Sequence, residues 1–173
     1  AIRAAGDPAQ FADVETWAAA LMLAGLDNTD ADPGNGIDRA LVKAMPGLPR
    51  AELEGTQNQL SIFDHLPEAD QRVMLNSALR EDSGDASLQQ LATAWRKGDL
   101  DTIARETRTG MMADPVIRKA LYSDRNAAWN ARIEAMLRAG KRPFVAVGTA
   151  HLAGPDGLPS ILAAQGWQVT RLQ

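Results

Sequence analysis

Four polar side chains sit where a folded chain could use them chemically: Glu54, Arg125, Asn126 and His151. His151 follows a short apolar run at 144–147, rich in β-branched residues, and a break at Gly148. Open α/β sheets hold ligands beyond the carboxyl ends of their strands, where the loops diverge. An imidazole placed there can move a proton near neutral pH or bind a metal ion. A lone loop histidine equally serves as a plain hydrogen-bonding residue, and a metal site needs three or four ligands. Arg125 and Asn126 fall in the first turn of a helix expected to be capped by Ser123 or Asp124. A cation is disfavoured at that end of the helix dipole, so Arg125 asks for a carboxylate or an oxyanion as partner. An ordinary exposed first turn is the alternative. Glu54 ends a short strand candidate at 48–54, which Pro49 weakens, so it occupies the same kind of position as His151. His65, the other histidine, ends a helix, where the dipole favours it.

The elements that must position these residues follow from hydrophobic spacing. Phe11, Val14, Trp17, Ala18, Leu21 and Met22 recur at intervals of three and four, the period of an amphipathic helix that ends near Gly25. An acidic loop spans 27–36. Read as a calcium loop from Asn28, it has Pro33 where glycine is required and Arg39 where a bidentate glutamate is required, so the motif fails. Short helices follow at 36–45, with Asp38 near the start, at 56–65, and from Pro67 to Arg80. Leu88, Leu91, Ala92 and Trp95 form the expected inner face of the next helix, and Gly98 stops it. Asp99 caps the following one, with Leu100, Ile103, Ala104 and Thr107 inward. Residues 110–122 read as irregular or a short helix. The last long helix presents Trp129, Ile133, Met136 and Leu137 and ends at Gly140. Strands are expected at 144–147 and 167–172, joined by a helix from Leu158 that stops at Gly166. The four tryptophans lie on apolar faces and are expected in the core.

These elements predict a mixed, helix-rich α/β fold. A small, mostly parallel sheet would carry a large all-helical insertion, about 56–140, ahead of a β-α-β unit at 143–172, all within a single domain, 1–173. Composition narrows the function classes. The chain of 173 residues has 45% hydrophobic and 23% charged residues and a net charge of −4. It has no extended basic patch, which argues against nucleic acid as a partner. No apolar run reaches the length of a membrane span. Cysteine is absent, which removes disulfides, thiol nucleophiles and thiolate metal sites. The first residue is Ala1, consistent with a trimmed product or part of a longer chain.

The segment Val-Gly-Thr-Ala-His-Leu-Ala-Gly-Pro-Asp-Gly-Leu at 147–158, followed by Gly-Trp-Gln-Val-Thr-Arg-Leu at 166–172, resembles the carboxyl-terminal signature of the TraB/GumN family, related to the TIKI proteins. Gly36-Ile37-Asp38-Arg39, Leu53-Glu54 with Gln59, Trp95 through Gly98-Asp99, and Arg125-Asn126 with Trp129 resemble further family segments in the right order. The resemblance implies an α/β fold with a helical insertion. In the TIKI relatives it implies metal-dependent proteolysis built on two Gly-x-x-His motifs and acidic residues. Carried across, His151 is a metal-ligand candidate, with Glu54 an acidic site residue and Arg125 and Asn126 polar groups lining the site. The implied cofactor is a divalent ion, Zn, Mn or Co, and the implied substrate a peptide or protein. Position 55 is Gly where the family usually has Thr, and the first Gly-x-x-His segment is missing. The chain therefore reads as the carboxyl-terminal part of a longer hydrolase, inactive alone. Open sheet edges are expected to drive homodimerisation. Family association leans towards the periplasm or cell envelope. The competing reading is a non-enzymatic ligand-, haem- or protein-binding module on the same fold.

Overall fold

The computed structural model describes residues 8–26, 36–80 and 85–172. Most of the acidic loop, 27–35, and with it most of the rejected calcium motif, lies outside them. The chain divides into two compact units, Ala1–Leu79 and Arg80–Gln173.

In the first unit a 3-10 turn, Pro8–Phe11, precedes helices α1 (Thr16–Leu26), α2 (Ile37–Ala44), α3 (Thr56–Asp64) and α4 (Glu68–Ala78). α1 packs along α4. Ala19, Ala20 and Leu23 of α1 are buried, as are Leu66 and Met74. The small alanines permit close approach of the two helices. Polar groups bind the pair as well. The Trp17 amide donates to Gln71 Oε1 at 3.2 Å, and Gln71 Nε2 donates to the Leu66 carbonyl at 2.8 Å. Gln71 is itself buried, so both ends of its amide need these partners. Trp17 stacks on Phe63 with ring centroids 6.0 Å apart.

The second unit carries α5 (Asp85–Lys97), α6 (Leu100–Glu106), a 3-10 turn (Gly110–Ala113), α7 (Pro115–Arg118), a π-turn (Lys119–Ser123), α8 (Asp124–Arg138), a second 3-10 turn (Thr149–Leu152) and α9 (Leu158–Ala164). α5 and α6 pack together, and α9 packs on α8. Ala94, Ile103 and Ala153 form a small apolar core, with Leu100 and Ala104 against it. Asp99 caps α6 by accepting from the Thr102 amide at 3.0 Å, as its position predicts. Gly98, Gly140 and Gly166 end their helices at positive φ.

The expected sheet is absent. No strand forms among the described residues, so the α/β class and its parallel sheet are replaced by a helical architecture. A strand exists only through the hydrogen bonds of its neighbour, and 48–54, 144–147 and 167–172 find no such neighbour among the described residues. The run at 144–147 keeps the alternating exposure of a strand, with Phe144 turned 71% outward, but forms no strand pair among the described residues. Two helix faces also differ from expectation. Val14, Leu21 and Met22 are exposed on or beside α1, and Trp95 is 58% exposed on α5 while Ala94 points inward.

The last long helix is continuous from Pro115 to Arg138 through the π-turn. Its cap is Asp114, which accepts from the Val116 and Ile117 amides at 2.8 and 3.1 Å. Ser123 is helical and caps nothing. Arg125 and Asn126 therefore follow the π-turn in mid-helix rather than opening a first turn.

Candidate functional site

His151 sits on the 3-10 turn Thr149–Leu152, whose backbone is closed by the His151 amide donating to Gly148 O at 2.9 Å. The turn is held against α8 by side chains one helical repeat apart. Tyr122, Asn126 and Trp129 share a buried stripe at spacings of four and three. Tyr122 stacks on the imidazole at 5.5 Å and Trp129 tilts against it at 4.5 Å. The Tyr122 hydroxyl donates to the Ala153 carbonyl, which pins the chain just past the turn. Burial raises the Tyr122 hydroxyl above its ordinary value, and the Asp156 charge adds to the effect, so it stays protonated as a donor.

Asn126 is fully buried and uses both ends of its amide. Nδ2 donates to the Asp156 carbonyl at 2.7 Å, which leaves Oδ1 facing His151 Nδ1, also at 2.7 Å. An amide oxygen can only accept, so His151 Nδ1 carries the proton and Nε2 keeps its lone pair. Burial, with the Arg125 guanidinium nearby, lowers the imidazole from 6.5 to about 4. The ring is thus neutral at physiological pH, oriented by one hydrogen bond and two aromatic faces. Arg125 lies over the Trp129 ring at 4.7 Å and donates to Leu121 O at 3.3 Å.

Beside this cluster lies an ion-pair network. Arg118 donates to both carboxylate oxygens of Asp156 at 3.0 and 2.7 Å, to Ser123 Oγ at 3.2 Å and to the Thr107 carbonyl at 3.3 Å. Its guanidinium also covers the Tyr122 ring at 4.7 Å. Ser123 Oγ donates to Asp156 Oδ2 at 3.1 Å, and Arg108 approaches Oδ1 at 3.6 Å. Burial alone would raise the Asp156 carboxyl, but the Arg118 hydrogen bonds and charge hold it below the ordinary range.

The structure brings together three of the four sequence candidates, Arg125, Asn126 and His151. Glu54 belongs to the first unit. There it precedes Gly55, at φ +88, and its carbonyl accepts from Asn58 Nδ2 at 2.9 Å. That positive φ suits glycine and not the threonine of the family pattern. Tyr122, Arg118 and Asp156 were not singled out by sequence. The first two lay in a stretch read as irregular or a short helix, separate from the helix that carries Asn126, and Asp156 lies in the turn between Pro155 and Gly157.

The implied divalent ion finds no complete site among the described residues. Among the described residues no three His, Asp or Glu side chains converge on a metal position. His151 offers one nitrogen donor, and the charged group next to it is a cation. A catalytic zinc keeps three protein ligands.

The sequence model of the TraB/PrgY/gumN family matches residues 1–171. Two curated relatives, both described as "Uncharacterized protein YbaP", come from Escherichia coli (strain K12) and Shigella flexneri. Each is 30% identical over 132 residues, which cover 73% of this chain and 47% of the relative. The chain therefore spans about half the length of the curated relatives it matches. No solved structure matches it.

Proposed function

The chain belongs to the TraB/PrgY/gumN family, and on that premise we propose that it carries one part of the active site of a hydrolase that cleaves peptide bonds. The observation that supports this reading most is the His151 imidazole, neutral, tautomerically oriented by Asn126 and presenting Nε2 as an acceptor. Such orientation is what an imidazole needs to act as a ligand or to receive a hydrogen bond from a reacting group. Arg125 is the group suited to stabilise a developing oxyanion, because a guanidinium presents several N–H donors in a rigid fork. Glu54, in the first unit, is proposed as an acidic residue of the longer protein's chemistry. Zinc, manganese or cobalt is the proposed cofactor of that longer protein, with its remaining ligands drawn from outside the residues described here.

The test compares this chain with a longer family protein containing it. Calorimetry with zinc, manganese and cobalt should give no micromolar binding to the 173-residue chain. It should give binding to the longer protein that is lost in His151→Ala. A peptide-library cleavage assay should then show turnover only for the longer protein, reduced about 100-fold or more in that variant, the scale of losing a group that acts on the reacting atoms. Turnover that survives His151→Ala overturns the reading.

A further inference from the structure

We propose that Asp156, clamped by Arg118, is a positioning residue that sets the tautomer of His151 through Asn126. This rests on the reading of His151 as a working side chain but concerns residues outside the candidate set.

The link runs through three polar contacts. Arg118 grips both oxygens of the Asp156 carboxylate and Ser123 holds one of them again. Arg118 Nη2 meets both oxygens, while its Nε and Nη1 are held by the Thr107 carbonyl and Ser123 Oγ, so the charge-assisted contact comes from a guanidinium that is itself fixed. With its side chain fixed, Asp156 presents its own backbone carbonyl to Asn126 Nδ2 at 2.7 Å. An amide has one donor end and one acceptor end, so whichever end faces Asp156 decides which end faces the histidine. Donation to a carbonyl is possible only from nitrogen. The oxygen must then face His151 Nδ1, and the proton must sit on that nitrogen. Without the carbonyl at 156, the amide could flip, offer its nitrogen to Nδ1 and drive the proton to Nε2. That flip would remove the lone pair the site presents.

The fold is built to hold this arrangement. Arg118 is the last residue of α7, Ser123 ends the π-turn and Asn126 lies in α8, so the extra residue of the π-turn sits inside the segment that carries all three. π-turns within helices recur at functional sites. The loop from Ala153 to Gly157 is closed on itself. A Cβ on Gly157 would stand 2.7 Å from the Ala153 carbonyl, so only glycine allows the loop to fold back and bring Asp156 to the helix.

The readout is the pair of ring 15N chemical shifts of His151 in the 173-residue chain at neutral pH, which separates a protonated from an unprotonated nitrogen. The intact chain should show one neutral tautomer with the proton on Nδ1. Asp156→Asn and Arg118→Lys should each introduce the other tautomer while far-UV circular dichroism stays helical, and Asp156→Glu should restore the single form at least in part. An exposed control, Arg96→Ala, should change nothing. If Asp156→Asn does not fold, Ser123→Ala removes one contact to the same carboxylate without changing charge and must shift the tautomer in the same direction. The clamp is overturned if the intact chain holds its proton on Nε2. A single Nδ1 tautomer that persists in folded clamp variants overturns it equally. Because this signal needs no turnover, an inactive longer protein with a clamp-dependent tautomer would sink the hydrolase reading and leave the clamp standing. An active one with an unmoved tautomer would do the reverse.

Discussion

At the scale of single residues, the second unit buries Asn126, Asn130 and Tyr122 around a half-buried His151. Asn126→Ala strips the partner from His151 Nδ1 and from the Asp156 carbonyl together. A buried group left unpaired costs about 1–3 kcal/mol, so the variant should lose stability on that scale in urea unfolding. An Asn126→Ala variant as stable as the intact chain would refute the pairing. His151 makes a separate prediction for the metal-free chain. Its folded value of about 4 lies below the ordinary 6.5, so the unfolded chain binds the proton first as pH falls. The contribution of the neutral ring is complete above about 6.5 and is lost by about 4. That gap is worth roughly 3 kcal/mol as an upper bound, trimmed by solvent around a half-buried ring. Asp156, whose carboxyl is held low, adds its own loss further into acid. His151→Phe should flatten the fall in urea midpoint between pH 6.5 and 4, and an unchanged slope would locate the pH dependence elsewhere. Of this site, the chemistry-bearing types at 125, 126 and 151 were legible in the sequence, because each stands out in its own segment. Their partners were not. Asn126 reaches His151 across 25 positions, and Arg118 reaches Asp156 across 38, and nothing local encodes such meetings.

At the scale of elements, what the sequence announces well is where helices stop. Gly98, Gly140 and Gly166 take positive φ, and Asp99 caps α6, because these signals depend on a few adjacent residues. Which face turns inward is a different matter. α1 has no charged residue, so no polar stripe marks its outer side, and alanines rather than Leu21 and Met22 meet α4. On α5, close packing near Ile103 and Ala153 selects Ala94 and leaves Trp95 outside. The strands were misread for a third reason: the β-branched runs carry the right period, but pairing requires a neighbour that the described chain does not supply. Two substitutions test the elements that hold the site. Asp114→Ala removes both amide contacts that begin the helix running through the π-turn, and should cost about 1 kcal/mol by urea unfolding. Gly157→Ala forces a methyl against the Ala153 carbonyl and should cost about 1–3 kcal/mol. A neutral Gly157→Ala would mean the loop has room that its geometry denies.

At the scale of the whole molecule, each unit closes a small core and leaves large apolar side chains outside. Leu172 is 91% and Phe144 71% exposed in the second unit, and Ile37 and Leu48 are 61% and 58% exposed in the first. Scattered apolar residues are ordinary on a protein surface, so exposure alone decides little. Two further facts weigh here. Phe144 and Leu172 lie on segments that form no strand among the described residues, and apolar side chains on such segments favour contact with another chain. The net charge of −4 over 173 residues gives only weak repulsion between copies. The chain is therefore expected to self-associate as its concentration rises. Light scattering coupled to size exclusion should give a mass that climbs above the 18.5 kDa of one copy. The double variant Phe144→Asp, Leu172→Asp should return it towards that value without loss of helical signal. A mass of one copy at every concentration would show that these side chains are tolerated singly, and that the two extended segments do not recruit a second chain.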